Sequence, residues 1–202
     1  AEQATQLAMS YAADRVQGRA PDAERGDNTP VPISTHPDVR NMLMTMRALT
    51  DAARAICYEN GVFHDLAHFG GDERAKAFNE LLTPISKAFS TDIANEVSSL
   101  GVQIHGGMGF VEETGIAQFA RDAKILPIYE GTNGIQAIDL INRKLPLANG
   151  AILSEYLTQI EETITHCASE ETLKELSAAL ENGLADLRAA TDFMMTHPDK
   201  LD

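Results

Sequence analysis

The chain has 202 residues, 44% of them hydrophobic, and a formal net charge of −14. That length and apolar fraction suit one sizeable domain, or a domain with a short appendage, and exclude a chain that is disordered throughout. With 30 acidic against 16 basic residues, the surface repels phosphate backbones and anionic membranes, so no nucleic-acid partner is expected. There is no Trp and aromatics are few, which leaves Leu, Ile, Ala and Met to fill the core. Cys57 and Cys167 stand far apart and outside any C-x-x-C pattern. They read as free thiols in a reducing, cytoplasmic setting rather than as a disulfide or a zinc site. No apolar run reaches membrane-spanning length. The opening AEQATQLAMS is amphipathic and is no signal peptide. It starts inside a helical pattern without Met, as a piece of a longer protein would.

In chain order, Leu7, Ala8, Tyr11, Ala12 and Arg15 recur at three- and four-residue steps and predict a helix over residues 2–18. RAPDAERGDNTPVPIS, residues 19–34, is a long loop by its Pro, Gly, Asp and Asn. Ser34 or Thr35 can cap the next helix and Pro37 suits its first turn. That helix runs to about residue 67, and Gly70-Gly71 breaks it. Residues 72–100 form another long helix, kinked or restarted at Thr83-Pro84. Glycines make two irregular segments, 105–110 and 131–134, with helices at 114–124 and about 134–144. After Gly150 the composition turns rich in Glu and Ala, and residues 151–167 and 170–195 read as an amphipathic hairpin. The fold class is all-α, with no convincing period-2 strand. The division expected is a helical-bundle domain over 1–150 and an additional hairpin over 151–202.

Several chemistries are absent. There is no G-x-S-x-G elbow, no phosphate-loop signature and no H-E-x-x-H helix. His64 and His68 stand at i, i+4 but lack the third ligand a metal site needs, so no metal is expected. Three features remain. QIHGGMGF is either a helix C-cap with a tight turn or a place where the backbone lies close against a flat or phosphorylated group. In IYEGTNGIQ, Thr132 and Asn133 suit a helix N-terminus, either as plain caps or as a phosphate or ribityl-hydroxyl site. Arg15 sits at a helix end beside a loop, as a solvated cation or as a partner for a phosphate.

QIHGGMGF, the RDAKI helix and the YEGT turn follow one another over QIHGGMGFVEETGIAQFARDAKILPIYEGTNGIQ. In order and spacing this stretch resembles the C-terminal helical domain of the acyl-CoA dehydrogenases. Loosely, the similarity covers about residues 1–145. The helix start HPDVRNML, the extended IYEGTNGIQAIDLINRKL and the hairpin after residue 150 resemble the longer members, those described for 3-methylmercaptopropionyl-CoA and for fatty acyl-CoAs. The resemblance implies a four-helix-bundle type of domain from a larger FAD enzyme, with Glu130 as catalytic base. Tyr129 would line the acyl pocket and Gly131 would meet substrate. Thr132 and Asn133 would touch the flavin at the helix start. Gln103, Gly106 and Gly107 would meet the adenosine end of FAD across a subunit interface, and Arg15 would reach a neighbour's flavin pyrophosphate. The partners implied are an acyl-CoA substrate, electron-transfer flavoprotein or a similar acceptor, and further copies in a homodimer or homotetramer.

The sequence departs from the family at three places. Gly18 stands where many members carry an aromatic, Pro37 where many carry Gln, and Asn133-Gly134 replaces a commoner Ser-Gln or Ser-Glu pair. The implied reaction is α,β-dehydrogenation of an acyl thioester. A carboxylate in water is too weak a base for a thioester α-proton, and burial against an aromatic and an acyl chain strengthens it. The backbone N–H of the same residue can donate to the thioester oxygen. The turn then lets one residue address both ends of the reacting unit. A second class stays open: a helical oligomerisation module of a catalytically retired relative, or of one that acts in the DNA-damage response. The isolated segment, lacking the flavin-holding β-domain of the family, is expected to show little activity.

Overall fold

The structure is a computed structural model that describes residues 1–197. The last five positions of the segment expected as a C-terminal hairpin lie outside the described residues. Helix α1 spans Glu2–Asp14, strand β1 Val16–Arg19 and strand β2 Pro30–Pro32. Two long helices follow, α2 over Pro37–Gly70 and α3 over Glu73–His105. Then come a single turn α4 (Gly107–Phe110), α5 (Ile116–Ala123), and α6 (Asn133–Asp139), which runs on as a π turn over Leu140–Lys144. The chain ends in α7 (Ala151–Ala168) and α8 (Lys174–Thr196). The all-α expectation holds, with one small addition. The expected loop at 19–34 contains half of a two-stranded antiparallel ribbon in which Val16 faces Pro32 and Arg19 faces Pro30, with an irregularity between them. Local spacing gave no hint of it, because two prolines in a three-residue strand hide any period-2 pattern.

The chain divides into two compact units, one of Ala1–Glu59 with Ser86–Asn133, the other of Asn60–Ile85 with Gly134 to the last described residue. Helices α2 and α3 contribute to both. In the first unit, α1 presents Ala4, Ala8 and Ala12, all buried, at four-residue steps. These small side chains let α1 lie close to the cluster of Met46, Ala53, Ile93, Val97, Ile104 and Ile116. Within this packing the buried Thr5 and Thr50 hydroxyls bond each other at 3.0 Å. Met46 is fully buried whereas Met44, two residues away, is 72% exposed. Met46→Ala should therefore destabilise the chain by about 3 kcal/mol, and Met44→Ala by less than about 0.5 kcal/mol. Urea titration of the two variants checks this; equal losses would mean that the assigned face of α2 is wrong.

The second unit has its own core. Phe78, Leu81 and Leu82 of α3 are fully buried. The Phe78 ring meets Phe63 at 5.2 Å and Tyr156 at 5.9 Å between centroids, and Arg74 lies over it at 5.0 Å while pairing with Glu155. Helices α7 and α8 pack through Leu157, Ile164 and Leu184, which is the expected hairpin.

Three local expectations shift. Helix α1 stops at Asp14 rather than residue 18, because Arg15 turns extended and leads into the ribbon. Ser34 and Thr35 do not cap α2. They belong to a 3-10 turn in which Thr35 Oγ1 donates to Pro32 O at 2.8 Å. Helix α3 does not restart at Thr83-Pro84, and Pro84 lies inside it. Pro84 and its neighbours Leu81 and Leu82 are fully buried, and that packing outweighs the hydrogen bond that proline removes.

Candidate functional site

All nine residues singled out by the sequence fall in the first unit, in two places. The first is the turn between α5 and α6. Its backbone closes on itself through Tyr129 N–H to Ile125 O at 3.1 Å and Asn133 N–H to Pro127 O at 3.0 Å. Within it Glu130 takes φ +52° and Gly131 φ +84°. Left-handed backbone is routine for Gly and uncommon for Glu, and a residue held there marks a place that its surroundings over-determine. Glu130 and Thr132 are exposed, as are Ile128 and Tyr129. An acid thus stands beside uncovered apolar and aromatic surface, the setting in which an incoming apolar ligand would strip water from a carboxylate.

Asn133 opens α6, but its side chain turns toward α3. Its Nδ2 donates to Asp92 Oδ1 at 2.7 Å, Thr91 Oγ1 at 3.0 Å and Ala88 O at 3.2 Å. Its Oδ1 accepts from Lys87 Nζ at 2.8 Å. The same ammonium donates to Gly131 O at 2.8 Å. None of Lys87, Thr91 or Asp92 was legible as part of a site. They precede Asn133 by more than forty positions, and only the folded chain brings them beneath it.

The second place is an open cavity of about 460 Å³ lined by Tyr11, Arg15, Ile104, His105, Gly106 and Gly107, among others. Arg15 is exposed and donates to a neutral partner, Gln17 Oε1, at 3.3 Å. A Cβ added at Gly106 or Gly107 would meet nothing within 4 Å, so the backbone faces open space there. Gln103 is exposed on the last turn of α3, and its carbonyl accepts the Gly106 N–H at 3.0 Å. The lining also includes a stack that sequence reading missed: the Tyr11 and His105 rings lie 4.0 Å apart and 19° from parallel. His105 is buried, its Nδ1 sits 2.8 Å from Gly101 O, and desolvation pushes its pKa below the usual histidine value. It therefore serves as a neutral aromatic surface near pH 7. Among the described residues no acid pairs with the Arg15 guanidinium, and that guanidinium, uncovered glycine backbone and a flat aromatic pair suit a ligand with an anion and a planar ring.

The departure at Gly18 also acquires a cause. Its φ is +75° and the His36 ring, bonded through Nε2 to Gln17 O at 2.8 Å, lies where a larger side chain would point. Pro37 is the first residue of α2, a position where its missing N–H costs nothing. Among the described residues no group of three or more His, Cys, Asp or Glu could hold a metal ion. The His64 and His68 rings stack at 5.9 Å, and His68 also meets the Phe69 ring edge-on at 4.7 Å. No described helix is long and apolar enough to cross a membrane.

Comparison with known proteins places this architecture. The family described as acyl-CoA dehydrogenase, C-terminal domain, matches residues 1–145. The 3-methylmercaptopropionyl-CoA dehydrogenase of Ruegeria pomeroyi is 49% identical over 196 residues, which is 94% of this chain and 32% of that protein. Among solved structures, Caenorhabditis elegans ACDH-11 in complex with C11-CoA shares the fold, with a TM-score of 0.78 over 98% of this chain and 31% of that one, at 23% identity. An acyl-CoA dehydrogenase complexed with FAD from Bacillus anthracis gives 0.61 over 84% of this chain and 29% of that one, at 26% identity. The chain spans about a third of the length of these relatives.

Proposed function

This chain belongs to the acyl-CoA dehydrogenase family, and we propose that it is the C-terminal part of an FAD-dependent enzyme that introduces an α,β double bond into an acyl-CoA thioester. The observation that carries this reading is the left-handed Glu130 in the Tyr-Glu-Gly-Thr turn, an exposed acid that follows the exposed Ile128 and Tyr129 in the chain. Glu130 takes the pro-chiral α-proton, and its own N–H donates to the thioester oxygen, where negative charge develops. Tyr129 and Gly131 shape the acyl pocket around it. Bound FAD supplies the acceptor for the β-hydride.

The residues that would hold FAD are Arg15 on the pyrophosphate, Gln103, Gly106 and Gly107 at the adenosine end, and Thr132 and Asn133 at the α6 start. The open glycine backbone and the exposed Arg15 of the cavity fit that assignment. Asn133 acts there through its backbone and its support of the turn, since its amide is engaged with α3. On this reading electrons leave to electron-transfer flavoprotein or a similar acceptor, and flavin sites are shared between subunits of a homodimer or homotetramer. Residues 1–150 form the family domain, 151–202 add packing or assembly surface, and the enzyme works in the cytoplasm. The kinship with the Ruegeria protein makes a short thioether acyl-CoA the first substrate to try.

The test is to purify the complete protein, record its flavin spectrum and add a panel of acyl-CoAs with an artificial electron acceptor. Bleaching of the flavin by one acyl-CoA, with turnover, is the expected result. A flavin that no acyl-CoA reduces would favour a catalytically retired relative instead, and a protein that takes up no FAD would leave only a structural role.

A further inference from the structure

The turn that carries Glu130 is tied to α3 by one cation. Lys87 is half-buried, and its ammonium donates to Gly131 O and to Asn133 Oδ1, both at 2.8 Å. The two acceptors flank Thr132, and the first of them is the carbonyl of Gly131, the second member of the left-handed pair. Asn133 is fixed in its turn by Thr91 and Asp92, so Lys87 meets an amide oxygen that is already oriented. Hydrogen bonds from an ammonium are stronger than those between neutral groups.

The geometry points to Lys87 as the positioning residue for the base. By holding the carbonyl of Gly131 it sets the plane of the peptide that follows the left-handed pair, and so the direction in which the Glu130 carboxylate and N–H emerge. Without that tie, Glu130 can relax toward the ordinary negative φ that its side chain prefers. Both groups then swing off the substrate. Lys87 does not belong to the buried cluster of the first unit, so its loss should reach the turn before it reaches the fold. This role rests on the reading of Glu130 as the α-proton base.

The test uses the complete flavoenzyme. Lys87→Met keeps the length of the side chain and removes every donor. The expected result is a kcat lower by about tenfold to a hundredfold, with flavin content and KM for acyl-CoA within about twofold, since a misplaced reacting group costs rate rather than affinity. Lys87→Arg should recover most of the rate. Asn133→Ala should also lower kcat, and the double variant should lose less than the two single losses combined, because the Lys87–Asn133 bond is common to both. Glu130→Gln is assayed beside them. Should Glu130→Gln still turn over, the base itself is refuted and the positioning role goes with it. If Glu130→Gln is inactive while Lys87→Met keeps its rate within about twofold, the base stands and the positioning role is overturned. Flavin lost along with rate in Lys87→Met, or strictly additive losses in the double variant, would also overturn it.

Discussion

Glu130→Gln in the complete enzyme should lower turnover by about 10³-fold or more while FAD and acyl-CoA still bind. Gln matches Glu in shape and keeps the backbone N–H that would polarise the thioester. It removes only the group that accepts the proton. A general base contributes typically about 10² to 10⁴, and α-proton abstraction has no route around it, so the upper part of that range applies. The exposed position of Glu130 fits the role. On the proposed reading, the carboxylate is reachable in the unliganded state and becomes buried when acyl chain and cofactor bind, which is when a stronger base is needed. Stopped-flow reduction of the flavin by saturating acyl-CoA isolates this step from electron transfer to the acceptor. Reduction within about tenfold of the unaltered rate would assign the base to another residue.

Gly109→Ala should destabilise the 202-residue chain by about 3 kcal/mol, at the upper end of the cost of overpacking. Gly109 is buried, and a Cβ there would lie 2.2 Å from Val102 O and 3.0 Å from His105 Cβ. The first of these atoms is backbone in the last turns of α3, so no side chain can rotate out of the way. The α4 turn must lift off α3 instead. That movement carries Gly106 and Gly107 with it, because the Gly109 N–H bonds Gly106 O at 2.8 Å. In the complete enzyme the same variant should therefore lose flavin as well as stability. Urea denaturation followed by circular dichroism, together with the ratio of flavin to protein, reads both effects. A variant as stable as the parent would mean that α4 can move freely, and the cavity could not then be regarded as a formed surface. By contrast, Gly107→Ala at an open position should be tolerated in the unliganded chain.

Much of this was legible before folding. Three-and-four spacing located every long helix, glycines marked both irregular segments, and the ordered run from QIHGGMGF through RDAKI to YEGT carried the family and the all-α class. These are local properties: a helix face, a breaker and a turn are set by residues within a few positions of one another, and a motif is a string of neighbours. Boundaries were less legible where tertiary contact competed with local preference. Pro84 stays inside α3 because burial around it outweighs a lost hydrogen bond. Asp14 ends α1 because the chain beyond it pairs with Pro30–Pro32, across a gap that no short window spans.

What the site residues do to one another was decided by the tertiary structure. The sequence by itself determined that an acid, a glycine and a helix start lie in a row at 130–133. It held no sign that Glu130 sits in left-handed backbone, that Asn133 turns its amide inward, or that Lys87 lies under Gly131. Nor did it pair Tyr11 with His105, ninety-four positions away, as the aromatic wall beside Arg15. Side-chain direction in a turn depends on which donors and acceptors the rest of the fold brings within about 3 Å, and long-range hydrogen bonds leave no periodicity in the chain.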